Sequence, residues 1–99
     1  MAPRPVKVTI TYCSECGYEP QTLALADALM REFRHELSAI ELIPWYDGSF
    51  DVSVNGERVH SMYREGGFPD PSAIIAAVRR HQAASQPASE RDDAPAPAS

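Results

Sequence analysis

The stretch Val6–Pro20, VKVTITYCSECGYEP, decides the fold. Val6, Val8, Ile10 and Tyr12 alternate with Lys7, Thr9 and Thr11, the period-two pattern of a strand with one buried face. Alternation stops at Cys13, and from about Pro20 the apolar residues return at helical spacing. Leu23, Ala26, Met30, Phe33 and Leu37 make one stripe with Leu29 beside it, while Arg31, Glu32, Arg34, His35 and Glu36 cover the outer face. A strand that feeds a helix through a short connection is the first half of a β-α-β unit.

Downstream, Ala39–Ile43 reads as a short strand stopped by Pro44, and residues 45–48 as a loop. Phe50, Val52 and Val54 alternate with Asp51 and Ser53, and a second run, Glu57–Tyr63, follows Asn55-Gly56. Asn-Gly between alternating runs signals a hairpin, because both residues accept the positive φ of a type I′ turn. That pairing sets Val59 and Ser61 against Val54 and Val52 and leaves His60 on the surface. Asp70 as N-cap with Pro71 at the first helical position opens a last helix whose buried stripe is Ile74, Ile75 and Val78. The order is β-α-β-β-β-α. It predicts an α/β fold: a right-handed parallel crossover, then an antiparallel hairpin, giving a mixed four-stranded sheet with two helices.

Ninety-nine residues bound this to one small domain. The segment 84–99 is dominated by Ala, Ser and Pro, has no aromatic residue, and reads as a disordered tail behind a folded unit over 1–83. Lys and Arg number 9 against 14 Asp and Glu, a net charge of −5. Such a balance gives no electrostatic reason to bind a phosphate backbone, so nucleic acid is not an expected partner. Residues 1–7 lack the apolar core of a signal peptide, and no run reaches the ~18 apolar residues of a membrane span. A soluble, cytoplasmic protein without a membrane partner is expected.

The two cysteines hold the chemistry. Cys13-Ser14-Glu15-Cys16 lies between the first strand and the first helix, where thiols at i and i+3 approach disulfide geometry. Unpaired N–H groups at a helix start favour a thiolate. Pro20 limits that help: the helix starts no earlier than Cys16 or Gly17, and if Pro20 is its first residue the effect weakens. Glu15 opposes a thiolate, and the cations nearest in sequence are Lys7 and Arg4, so a moderate lowering of the thiol pKa is expected. Three readings fit the pair: a redox dithiol, half of a zinc site completed by a partner chain, or two small buried apolar residues. With no second CxxC and no histidine at ligand spacing, the redox reading leads and no metal is assigned. Trp45, Tyr46 and Phe68 either border the cysteines or pack under the core.

Tyr12-Cys13 through Cys16-Gly17-Tyr18 and Pro20, followed by Phe50-Asp51-Val52-Ser53-Val54-Asn55-Gly56 and Val59-His60-Ser61, resembles the selenoprotein W family, also called the Rdx or selenoprotein T/W/H family. The resemblance runs from about Val6 to His81. It implies a thioredoxin-like fold and glutathione-linked redox function or antioxidant activity as a thiol-disulfide oxidoreductase. Protein thiols or disulfides, or glutathione, would be the partners, with glutathione a co-substrate and no cofactor bound. It also implies that Cys16 occupies the position held by selenocysteine in animal members, which favours Cys16 as the attacking group and Cys13 as the resolving one, whereas the logic of thioredoxin favours attack by the first cysteine, Cys13. A thiol is a poorer nucleophile than a selenol, so peroxide reduction does not carry over with the motif. A second role, a redox-gated interaction module without rapid turnover, needs the same dithiol.

Overall fold

The computed structural model describes residues 6–84. The expected boundary at residue 84 and the tail beyond it lie outside the described residues, apart from Ala84 itself. The elements are β1 (Val6–Cys13), α1 (Glu19–Phe33), β2 (Leu37–Trp45), β3 (Phe50–Val54), β4 (Glu57–Ser61), α2 (Met62–Glu65) and α3 (Pro71–Ala84), with a 3-10 turn at Arg34–Glu36. The sheet order is β2-β1-β3-β4. β1 and β2 run parallel, while β1 with β3 and β3 with β4 are antiparallel. This is the mixed four-stranded α/β sheet that the sequence predicts, with one added helical turn.

Period two in β1 and β3 builds the core. Val6, Val8 and Ile10 of β1 and Phe50, Val52 and Val54 of β3 are buried against Leu25, Leu29 and Phe33 of α1 and Ile74, Ala77 and Val78 of α3. Burying side chains of this size stabilises by roughly 1.5–3 kcal/mol each before entropy is counted. The opposite residues, Lys7, Thr9, Asp51 and Ser53, are exposed or half-buried. Lys7 pairs with Glu41 there at 3.4 Å, and Thr9 donates to the same carboxylate.

Three local expectations change. In α1 the buried residues are Thr22, Leu25, Ala26, Leu29 and Phe33, while Leu23 and Met30 are exposed and Leu37 belongs to β2. The helix carries apolar residues over a wide arc, so periodicity alone does not choose the buried line. α3 chooses it: Arg79 pairs with Glu32 and lies over the Phe33 ring at 5.3 Å, and Gln82 donates to Glu36 at 2.8 Å. β2 also continues through Pro44, which lacks a backbone N–H; at the edge of the sheet that missing donor need cost no ladder bond.

The third change is in the hairpin. Asn55 and Gly56 take φ of 51° and 87°, as the turn requires, and Val54 pairs with Glu57 and Ser53 with Arg58. Neither expected pair, Val59 with Val54 or Ser61 with Val52, forms: the two-residue turn sets Val54 against Glu57, and an extra residue in β4 then puts Val52 against His60 and Asp51 against Ser61. Such a bulge reverses the alternation beyond it. His60 is therefore 7% exposed, not on the surface, and Val59 is only half-buried. The strand ends at Ser61, and Met62–Glu65 coils into α2 where a strand through Tyr63 is expected.

Candidate functional site

Cys13 is the last residue of β1, and both neighbouring strands leave it at a loop. Its amide donates to the Ser49 carbonyl at 2.8 Å. Across the parallel pair it is in register with Trp45, whose carbonyl accepts from the amide and the hydroxyl of Ser14 at 3.0 and 3.1 Å. The loop between β2 and β3 is thus tied to both sides of the first cysteine. Asp47 and Gly48 turn this loop at φ of 67° and 68°; the Ser49 hydroxyl donates to the Tyr46 carbonyl, and the Tyr63 hydroxyl donates to the Asp47 carbonyl.

Residues 14–17 form a turn in which Gly17 takes φ of 74°, a conformation that a side chain would strain. The turn brings the Cα atoms of Cys13 and Cys16 to 5.4 Å, and the two sulfurs are joined as a disulfide. Their surroundings differ: Cys13 is 0% exposed, whereas Cys16 is open to solvent. α1 begins at Glu19 with Tyr18 as N-cap and Pro20 in its first turn. Cys16 precedes that cap by two residues, so the weaker of the two expected helix-terminus effects applies. Glu15, Glu19 and Asp47 are all exposed, and no Lys, Arg or His lies in residues 13–21 or 44–50.

Aromatic residues frame the turn on two sides. Trp45 and Tyr46 stack with centroids 4.8 Å apart and stay 49% and 48% exposed. On the other side Phe68 meets Tyr18 edge-on at 4.9 Å and Phe50 at 5.0 Å. Phe68, 40% exposed, separates two recesses. One, of about 150 Å³, lies between the start of α1 and the loop before α3; the other, of about 440 Å³, runs between β4 and α3. His60 stands behind this cluster, its Nε2 donating to the Gly67 carbonyl at 2.7 Å. The sequence left open whether Trp45, Tyr46 and Phe68 border the cysteines or pack under the core: Trp45 is in register with Cys13 and carries Tyr46 stacked on it, whereas Phe68 packs on Tyr18 and on the buried Phe50. It missed His60 and Tyr63, since only the bulge and the short α2 bring them in.

Among the described residues no group of three or more His, Cys, Asp and Glu side chains is arranged to hold a metal ion, and no helix is long and apolar enough to cross a membrane. A model of the Rdx family matches residues 7–80. Migration and invasion enhancer 1 of Bos taurus is 35% identical over 75 residues, an alignment covering 76% of this chain and 64% of that protein; the chain thus spans less than two thirds of that relative's length. Selenoprotein W of Danio rerio is 41% identical over 66 residues, 66% of this chain and 77% of that one. The crystal structure of a selenoprotein W-related protein from Vibrio cholerae superposes with a TM-score of 0.77 at 26% identity, covering 80% of this chain and 99% of that one.

Proposed function

The chain belongs to the Rdx family, and from that premise we propose that Cys13 and Cys16 cycle between dithiol and disulfide as a thiol-disulfide oxidoreductase in a cytoplasmic setting. The observation that carries the reading is the bonded pair itself: two cysteines on a strand-to-helix turn, one buried and one exposed. In the reduced protein the Cys16 thiolate attacks a substrate disulfide, forms a mixed disulfide and releases the first substrate thiolate, which takes a proton from water. The Cys13 thiolate then attacks Cys16 sulfur, forms the internal disulfide and releases the second substrate thiolate. Two electrons pass from the protein to the substrate. An external thiol, of which glutathione is one, returns the pair to the dithiol.

The exposure difference supports Cys16 as the attacking residue. An incoming disulfide must meet the attacking sulfur in line, and solvent reaches only Cys16. Cys13 needs access to nothing but Cys16. The experiment is turnover: purified protein with a glutathione or thioredoxin regenerating system should reduce protein disulfides, and the Cys16→Ser variant should not. Absence of turnover with every disulfide offered leaves the redox-gated binding module, a reading that the exposed Trp45–Tyr46 stack favours.

A further inference from the structure

The rim around Cys16 has a chemical character that the motif does not specify. We infer that the dithiol acts on protein disulfides set among apolar and basic residues, in preference to glutathione disulfide. This inference rests on the redox reading above and adds the class of substrate.

Two observations carry it. The first is apolar. Trp45 and Tyr46 stand beside Cys13 on the β2 side, and Phe68 stands on the α1 side, each about half open to water. The recess between Phe68, Phe50 and Leu25, of about 150 Å³, has the size of one large apolar side chain. Exposed aromatics of this kind are the usual anchors of a peptide contact. Glutathione, a tripeptide without an apolar side chain, has nothing to place on them.

The second is charge. Two segments flank the cysteines, residues 13–21 and 44–50. They carry Glu15, Glu19 and Asp47, all exposed, and no Lys, Arg or His. α2, joined to the second segment through Tyr63 and Asp47, adds Arg64, which is paired with Glu65 at 3.2 Å. Glutathione disulfide carries more carboxylates than ammonium groups, and the flanking segments offer no cation to receive them. A segment with Lys or Arg beside its cysteine meets complementary charge, which raises the encounter rate and fixes register.

The chemistry is unchanged: Cys16 takes one sulfur of the substrate disulfide, Cys13 resolves, and both substrate cysteines leave as thiols. The test mixes pre-reduced protein with four disulfides in a stopped-flow instrument. Neutral dithiodipyridine is the benchmark for a competent dithiol. The others are oxidised glutathione, a disulfide-linked peptide with Leu, Phe, Lys and Arg around its cysteine, and the same peptide with Glu for each basic residue. Each rate is divided by that disulfide's rate with dithiothreitol, which removes differences in leaving-group reactivity.

The basic apolar peptide should then exceed both oxidised glutathione and the acidic peptide by about tenfold or more at low salt, and ~0.5 M salt should shrink the margin over the acidic peptide. Trp45→Ser should lower the basic peptide's normalised rate. The double variant Glu15→Gln, Asp47→Asn, which changes only exposed side chains, should narrow the gap between the two peptides. Glutathione disulfide reacting as fast as the basic peptide overturns the inference, as does a peptide gap that salt and charge neutralisation leave intact. If dithiodipyridine itself does not oxidise the pair, the redox reading fails and takes this inference with it.

Discussion

Cys13 is closed to solvent while Cys16, bonded to it with Cα atoms 5.4 Å apart, is exposed. The first cysteine ends a strand held on both sides, and the second lies on the turn that leaves it. Reactivity should divide accordingly. Limiting iodoacetamide on the reduced protein should label Cys16 at least about tenfold faster than Cys13, since a buried thiol is shielded and its thiolate poorly solvated. Peptide mapping by mass spectrometry reads the ratio, and preferential labelling of Cys13 would reverse the assignment.

A redox pair must leave the fold intact in both states. The disulfide closes a short loop, with a sequence separation of 3. Chain-entropy reasoning puts its stabilisation at about 2 kcal/mol. Urea unfolding with and without dithiothreitol should therefore give cooperative transitions that differ by about that amount or less. A reduced protein without a cooperative transition would contradict it.

The loop that holds Cys13 is fastened from outside by the Tyr63 hydroxyl on the Asp47 carbonyl. Tyr63→Phe removes this bond and nothing else of size. Global stability should fall by about 0.5–1.5 kcal/mol. The Cys13 amide, bonded to Ser49 of the same loop, should exchange with deuterium faster in the variant than in the parent protein, and by a larger factor than mid-β1 amides such as Ile10. Unchanged exchange at Cys13 would show that Tyr63 does not restrain the loop.

His60 should matter to stability far more than a surface histidine. His60→Leu removes the donor to the Gly67 carbonyl and disturbs the contact with Phe50, whose ring centroid is 6.5 Å away. The expected loss is about 1–3 kcal/mol. His35→Leu, at an exposed position, should change stability by no more than about 0.5 kcal/mol. Equal effects in denaturant titrations would mean that the bulge in β4 does not form.

The contrast between these histidines shows where sequence reading ends. Val6 to Tyr12 and Phe50 to Val54 announce their strands because one face is buried and the other is not, and Asn55-Gly56 announces its turn by its φ requirements. Cys13 and Cys16 are legible for the same reason: their spacing matters only across a tight turn. Periodicity carries no information on an inserted residue, so the bulge at Val59 and the inward His60 stay hidden. Nor does it choose between Leu23 and Leu25 in α1, a choice made by α3 from 46 residues or more away along the chain. The rim is legible only in part, because Trp45, Tyr46 and Phe68 take their places through strand register and loop closure.

The central claim is that Cys13 and Cys16 form one two-electron couple. Equilibrating the protein in buffers of graded reduced and oxidised glutathione, then quenching with acid and weighing it intact, tests this most directly. The account predicts one transition, in which the mass falls by two hydrogens, with a midpoint within reach of the glutathione couple and a glutathione adduct that forms faster in the Cys13→Ser variant than in Cys16→Ser. Thiols that stay free across the whole range, or oxidation that appears only between separate chains, would contradict it.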